Sequence, residues 1–481
     1  MLRALRSKKT SAMTKPVPAD VLNQLRSVLG PEGWSDDPLK LDSKLVEWRG
    51  RWRGETPFLA LPRDVEQVCA VVGICAAHGV AITPQGGNTG LVGGQIPYGE
   101  VLLSTEKLRR IRDMAPDDGV MVLEAGVTLL EAQQAAAAVD RFFPLSLAAE
   151  GTATIGGTIS TNAGGTAVLR YGVMRDQVLG LEAVMPDGRL FQGLKRLRKD
   201  NTGYDLKQLL IGAEGTLGVI TAASLKLHPH LRSRATAVVG FENPSQAVAL
   251  LHAARAETGG GVEAFELMGR RGLDFVLKNT PGARDPLTSR HSWYALIELA
   301  GGEVGSAEAG LERVLAHGFE AELVTDAAIA QNLDQAKAFW RVREEHSAAQ
   351  KVEGAAWKHD VSVPISRIPE FLEEATAALE RFYPGVRVVA FGHVGDGNLH
   401  FDAVQPEGGD GAAFSAKRDE GSRIVHDIVA RYEGSISAEH GLGRMKTAEA
   451  ALYKSPLELD LQRAVRAAID PQRIMNPRVL F

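Results

Sequence analysis

Cysteine is nearly missing: Cys69 and Cys75 are the only two in the chain. They sit six positions apart in a segment of helical spacing, so they offer neither a metal-binding pair nor a disulfide framework. Both read as core thiols in a reducing compartment. No uninterrupted apolar run approaches the ~20 residues that cross a bilayer, and no transmembrane segment is expected. Neither sign of charge dominates. With 54 basic and 59 acidic residues the net charge is -5, which argues against a nucleic-acid surface and leaves small molecules as the default partners. A hydrophobic share of 44% and a charged share of 23% are ordinary for a globular protein, and 481 residues exceed what one core supports. Two or three domains are expected.

What is abundant is glycine, 51 residues in all, and it is clustered. Residues 84–94, PQGGNTGLVGG, pack five glycines behind the apolar stretch 80–83. Without side chains in the way, consecutive N–H groups can form a concave nest for phosphate oxygens, so the loop reads as a pyrophosphate cradle. Its spacing is neither the dinucleotide fingerprint nor the P-loop, and by itself such a loop is as readily a tight turn. A second cluster, 151–165, mixes glycine with small hydroxyl residues and suits close backbone approach along a thin ligand. A third, 211–221, places glycines around Glu214-Gly215.

Periodicity predicts a strand at 58–61, a helix at 65–78 and a strand at 80–83, a unit that delivers the first loop. Further strands are expected at 101–104 and 120–127, a helix at 129–139, and a hairpin across Asp187-Gly188. Beyond Leu231 the pattern changes. Strands at 235–241 and 292–299 flank helices at 244–257 and 305–316, which predicts a separate sheet with helices on one side and 263–268 as an edge strand. A last helix is expected at 457–469. Arg49, Arg51 and Arg53 surround Trp52 in a basic patch, read either as solvated surface or as the lining of a channel for an acidic ligand. The first fifteen residues carry Arg3, Arg6, Lys8, Lys9 and Lys15 without an acid, and read as a frayed tail rather than a targeting segment, with Met13 as an alternative start.

Two clusters carry chemistry. In a predicted helix over 339–347, Arg343 and Ser347 share a face, and Lys358 follows on a strand. Two cations and a hydroxyl could converge on one carboxylate, or the arginine could simply pair with Glu344 and Glu345 on the surface. His393 and His400 bracket a Gly395-Asp396-Gly397 turn, while Glu439 and His440 stand beside Gly441 and Gly443. Two imidazoles and a carboxylate would make a three-ligand site with open positions, the pattern of a catalytic metal; satisfied core histidines are the plainer reading.

The loops 84–94, 151–165 and 214–221 resemble the FAD-binding loops of the vanillyl-alcohol-oxidase (PCMH-type) flavoproteins. The run 197–207, LRKDNTGYDLK, narrows the resemblance to the branch holding D-2-hydroxyglutarate and D-lactate dehydrogenases. It extends from about Pro62 to the C-terminus. The resemblance implies an α+β fold: a PCMH-type FAD-binding domain of two α/β subdomains, and an α+β substrate domain built on an antiparallel sheet. The implied limits are a flexible tail at 1–17, the FAD domain at 18–230, the substrate and metal domain at 231–425, and a C-terminal segment at 426–481 packing back on the FAD domain.

It also implies cofactor contacts at Pro84, Gln85, Gly86, Gly87, Asn88, Thr89, Gly90 and Gly93 in the first loop, and at Pro144, Gly151, Thr154, Gly156, Gly157, Ser160, Thr161, Ala163 and Gly164 around the second. Glu214, Gly215, Gly218, Ile220 and Asn476 complete the set. FAD is expected to be non-covalent, because Asn88 stands in the first loop and the second contains no His or Cys. His393, His400 and Glu439 are the implied ligands of a divalent metal, zinc by choice of donors, with manganese or cobalt as alternatives.

The implied reaction is oxidation of a D-2-hydroxy acid to the 2-oxo acid, with His440 as general base and flavin taking the hydride. D-2-hydroxyglutarate is the first expectation, held by Arg343, Ser347 and Lys358; Ser347 stands where a threonine is expected, and Asp402 where an asparagine is. Asp402 would repel a dianion unless protonated, paired or turned away. D-lactate or D-malate are alternatives within the class, and a flavin-free metal hydrolase or a non-catalytic flavin subunit are alternatives outside it. Expected partners are an electron acceptor such as electron-transfer flavoprotein or a quinone, and a second copy in a homodimer. The expected location is a bacterial cytoplasm, with peripheral attachment to the inner membrane as a variant, or a mitochondrion in a eukaryote.

Overall fold

The computed structural model describes residues 16–480, so the basic stretch 1–15, with Met13, lies outside the described residues. Of the expected tail, Val17 packs against the first hydrophobic cluster. That cluster is built on a small sheet in which Leu59–Ala60, Val101–Ser104 and Ile82–Gln85 run parallel. The helix Val65–His78 supplies the crossover. Asp64 caps it by accepting the Gln67 N–H, and Gly79 ends it at φ 63. Because the Val80 N–H still bonds back to Cys75 at 2.9 Å, the next strand begins at Ile82 rather than at 80. Val68, Val71, Val72 and Cys75 form its buried face, and burial pushes the Cys75 thiol up to about 12.

A second, antiparallel sheet runs in the order Ile111–Ala115, Val120–Glu124, Val219–Lys226, Val178–Val184, Leu190–Gly193. The helix Leu129–Ala137, opened by a Thr128/Glu131 capping box, lays Leu129, Ala132 and Ala136 on it. The expected hairpin is present, with Val184 opposite Leu190 and Gly188 at φ 85 in the turn.

The largest sheet is antiparallel and ordered Asp326–Ile329, Ser233–Phe241, Trp293–Gly301, Val262–Gly269, Arg387–His393, Asn398–Val404, Ala356–Trp357, with Asp360–Ser362 also pairing Asn398–Val404. Two sequence expectations fail here. Val262–Gly269 is an interior strand, hydrogen-bonded on both sides. Helices cover both faces, because successive residues of the strands are apolar: Ala237, Val239 and Leu267 join one core, Val238 and Met268 the other. The helix expected over 339–347 is also divided. Leu333–Glu344 and His346–Val352 meet at Glu345, φ -72 and ψ -8.

The chain ends by returning to its first half. Helix Pro456–Ile469 packs Val465 and Ile469 on the second sheet's core, and Ile82 exchanges 2.8 Å backbone bonds with Ile474 and Asn476. The architecture is α+β. Among the described residues no helix is long and apolar enough to cross a membrane.

Candidate active site

The three glycine loops and the C-terminal return enclose a cavity of about 340 Å³, within the range of ligand pockets. Pro84, Gln85, Gly86, Gly87, Asn88, Thr89 and Gly90 line it from the first loop, and Thr154, Gly156, Gly157, Ser160, Thr161, Ala163 and Gly164 from the second. Glu214, Gly215, Gly218, Ile220 and Asn476 complete the wall. Gly93, Pro144 and Gly151 lie outside this lining: a Cβ on Gly93 would come 3.0 Å from the Trp52 ring, Pro144 is buried, and Gly151 is exposed. Thr105, Leu147, Ala148, Ala149 and Thr158 also line the cavity and were not foreseen, although the short side chains 148–149 stand one residue before the second cluster.

The loop fits an anion of pyrophosphate type. The N–H groups of Gly86, Gly87, Asn88, Thr89 and Gly90 donate to no described residue, which is the condition for a phosphate nest. A Cβ on Gly86 would strike Thr154 Oγ1, and one on Gly87 the Thr152 carbonyl, so the first and second loops touch only because both positions are glycine. Side chains hold the loop from behind. Gln85 Nε2 donates to the Lys44 and Gln95 carbonyls at 2.9 and 3.0 Å, and Asn88 Nδ2 to those of Ser43 and Val46 at 3.0 Å.

His393, His400 and Glu439 offer three ligand atoms within 4.8 Å of one another. His393 ends the strand Arg387–His393; Gly397, at φ 87, turns the chain into Asn398–Val404, which carries His400. His393 Nδ1–H donates to Glu266 Oε1 at 2.6 Å, which leaves Nε2 facing Glu439 Oε1 at 3.4 Å. The fully buried Glu266 also accepts Arg343 Nε at 2.7 Å. Burial opposes its charge, yet Arg343 and His393 outweigh burial and hold its carboxyl at about 2. Burial likewise opposes a charged His393, but Glu266 and Glu439 raise it to about 9, while burial raises Glu439 to about 7. Two imidazoles and a carboxylate, with a carboxylate fixing the tautomer of one ring, suit a zinc-like cation that displaces the protons.

His440 follows on the same loop, and both it and Glu439 line the flavin-type cavity. Its Nδ1 lies 3.2 Å from Asp360 Oδ2, which also accepts the backbone N–H groups of Glu439 and His440 at 3.0 Å. Asn398 Nδ2 holds the other oxygen of Asp360 at 2.9 Å. Burial first, partly offset by Asp360, keeps the His440 imidazole below its ordinary value and therefore neutral near pH 7. A neutral ring oriented through Nδ1 can accept a proton at Nε2. From the other side, Glu214 (φ 49) accepts the N–H groups of Leu442 and Gly443 at 2.9 and 2.8 Å, tying the same loop to the third glycine cluster. Glu266, Asp360 and Asn398 were not foreseen.

Of the three residues expected to clamp a substrate carboxylate, Arg343 and Lys358 meet other partners in the structure. Arg343 pairs with Glu266 rather than Glu344 or Glu345, and its guanidinium stacks 5.0 Å over the Phe391 ring. Ser347 lies beyond the break at Glu345 and is exposed. Lys358 Nζ contacts Asp402 Oδ2 at 3.0 Å and Gln350 Oε1 at 3.2 Å, and Asp402 Oδ1 accepts the His359 N–H at 3.2 Å. Of the three ways Asp402 could avoid repelling an anion, pairing is the one realised.

The sequence matches the family "FAD linked oxidases, C-terminal domain" over residues 230–480 and the "FAD binding domain" over residues 56–193. A D-2-hydroxyglutarate dehydrogenase of Xanthomonas citri pv. viticola is 37% identical over 452 residues, 92% of this chain and 93% of that one. A mitochondrial D-2-hydroxyglutarate dehydrogenase of Arabidopsis thaliana is 35% identical over 457 residues, 95% and 80% of the two chains. A D-2-hydroxyglutarate–pyruvate transhydrogenase of Saccharomyces cerevisiae is 32% identical over 474 residues, 96% and 94%. Among solved structures, p-cresol methylhydroxylase with substrate bound has a TM-score of 0.74 at 17% identity, covering 97% and 98%. An alkyldihydroxyacetonephosphate synthase has 0.72 at 17%, covering 96% and 85%. The likeness to these two is one of fold.

Proposed function

Since the chain belongs to the FAD-linked oxidase family, with an FAD-binding domain followed by the family's C-terminal domain, we propose that it oxidises a D-2-hydroxy acid to the 2-oxo acid, D-2-hydroxyglutarate first. D-lactate and D-malate are the alternatives within the class. One observation carries the reading: Glu439 and His440 stand on the wall of the cavity formed by the three glycine loops, and His393 and His400 offer ligand atoms within 4.8 Å of Glu439.

The N–H groups of residues 86–90 would hold the FAD pyrophosphate, and His393, His400 and Glu439 a divalent metal, zinc by its donor set. When bound, FAD supplies the hydride acceptor and the cation lowers the pKa of a coordinated hydroxyl. His440 takes the C2 hydroxyl proton at Nε2, and Asp360 both aims the ring and stabilises the imidazolium that forms. Arg343, packed on Phe391, presents the part of its guanidinium not engaged by Glu266 to a substrate carboxylate. Electron-transfer flavoprotein, a quinone or a second oxo acid would reoxidise the flavin. A homodimer in a bacterial cytoplasm or a mitochondrion completes the proposal.

The test is an anaerobic titration of the holoenzyme with D- and L-2-hydroxy acids, before and after chelation. D-2-hydroxyglutarate should bleach the flavin, its L-enantiomer should not, and chelation should abolish the bleaching. A colourless protein that fails to take up FAD would favour a metal hydrolase. A yellow protein bleached by no hydroxy acid would favour a non-catalytic flavin subunit.

A further inference from the structure

The pairing of Lys358 with Asp402 raises a question of charge. Lys358 is paired with Asp402 and Arg343 shares its charge with Glu266, so a substrate with two carboxylates gains from positive charge beyond the edge that Arg343 presents. A source lies in the flavin-binding half. Residues 46–53 form a tight hairpin closed by a Val46/Arg53 bridge, a Glu47 N–H to Trp52 carbonyl bond of 3.0 Å and a Gly50 N–H to Glu47 carbonyl bond of 2.7 Å. Asn88 of the phosphate loop grips its base through the Val46 carbonyl, and Trp52 lies against Gly93 of the same loop. At its tip Arg51 reaches 3.9 Å from Met445 Sδ, six residues past Glu439, so the hairpin stands at the seam beside the Glu439-His440 loop.

Arg49, on this hairpin, makes no hydrogen bond or ion pair with any described residue. It lies within electrostatic reach of Asp402, Asp360, His440 and Arg418, and Arg51 within reach of Arg418 and Asp402. Arg49 is half-buried, and burial lowers the pKa of its guanidinium while Asp402, Glu47 and Asp360 oppose the fall. Such a group gains most from a charged ligand able to accept a bidentate bond.

We propose that Arg49 is a substrate-binding residue: it reaches across the seam to the distal carboxylate of a dicarboxylic substrate, with Arg51 and Arg418 adding positive field. The inference deepens the reading of a D-2-hydroxy acid site and rests on it. It assigns the chain to dianionic rather than monoanionic acids, with the preference set by a flavin-half hairpin that offsets Asp402.

Binding can be measured apart from turnover. Glutarate and butyrate share a carbon skeleton class and differ in the second carboxylate, and neither carries a hydroxyl to oxidise. Calorimetric titration of the FAD-loaded full chain should show glutarate bound more tightly than butyrate. Arg49→Gln should weaken glutarate at least about tenfold, the size of one lost charge-assisted contact, and leave butyrate within about twofold. Arg49→Lys should recover most of the loss, and Arg53→Gln, which removes an exposed pair with Asp42, should change neither ligand. Equal glutarate affinity in wild type and Arg49→Gln overturns the proposal, as does an equal loss for both acids or a wild type without preference for glutarate. Arg49-dependent glutarate binding in a protein that oxidises no hydroxy acid would retain the anion site and sink the redox reading instead.

Discussion

Glu266 is the residue that joins the proposed metal ligand His393 to the proposed substrate-binding Arg343, and its removal has a calculable cost. It has no solvent exposure and bonds Arg343 at 2.7 Å and His393 at 2.6 Å. Glu266→Ala leaves the Arg343 guanidinium buried without its counter-charge, a change worth about 3–5 kcal/mol. Glu266→Gln keeps the volume and one acceptor, but its amide N–H₂ must face either the Arg343 or the His393 donor. In either orientation His393 loses the carboxylate charge behind its ring, and where the N–H₂ faces it also the acceptor that fixes its tautomer, so zinc affinity should fall about 10–100-fold, the usual effect of deleting a carboxylate behind a metal-bound imidazole. The assays are competition for zinc against a chromophoric chelator and urea unfolding of the metal-free protein. Because Glu266, together with Glu439, raises His393 to about 9, zinc uptake by wild type near pH 7 should release more protons than uptake by Glu266→Gln. Unchanged zinc affinity in Glu266→Gln, with stability within about 0.5 kcal/mol of wild type, would refute the account.

Burial drives His346 and His359 down to about 3 from 6.5, so both are neutral in the fold. A depressed histidine contributes stability that is present above pH 6.5 and lost as pH falls toward 3, about 2 kcal/mol each by about pH 5; the melting temperature should drop on acidification, and less steeply in His346→Gln. Parallel melting profiles for the two proteins would contradict this. Asp402→Asn should free Lys358 for the substrate while its amide oxygen still accepts the His359 N–H, so the KM for D-2-hydroxyglutarate should fall about tenfold, with little change for D-lactate. Gly86→Ala drives a methyl into Thr154 Oγ1 and should yield protein with about tenfold weaker FAD binding, read from the flavin absorbance retained after gel filtration.

The features legible in the sequence are those encoded locally. The apolar spacing of Val68, Val71, Val72 and Cys75 marks one helix, Asp187-Gly188 marks a hairpin, and the glycine runs mark loops where backbone approaches backbone. The histidines were legible for the same reason, since a Gly-Asp-Gly turn brings His393 and His400 together within eight positions of chain. The interior position of Val262–Gly269 was not, because Glu263 and Glu266 suggest an edge, and only the fold shows both buried. Nor was the break at Glu345, which falls inside an unbroken helical periodicity.

The carboxylates that organise the site were illegible for a deeper reason. Glu266 acts on His393 from 127 positions away, Asp360 on the His440 N–H from 80, and Glu214 on Leu442 from 228. A lone acid has no spacing signature, and only the docked fold shows which one meets a histidine. The same distances dictate how the site can form. Asp360 fixes the His440 loop from the large sheet while Glu214 fixes it from the flavin-binding half, so neither half alone sets the ring. If His440 is the general base proposed above, its ring is aimed only once the two halves are joined, so Asp360→Asn or Glu214→Gln should lower kcat more than it lowers the melting temperature; an equal loss of both would contradict this.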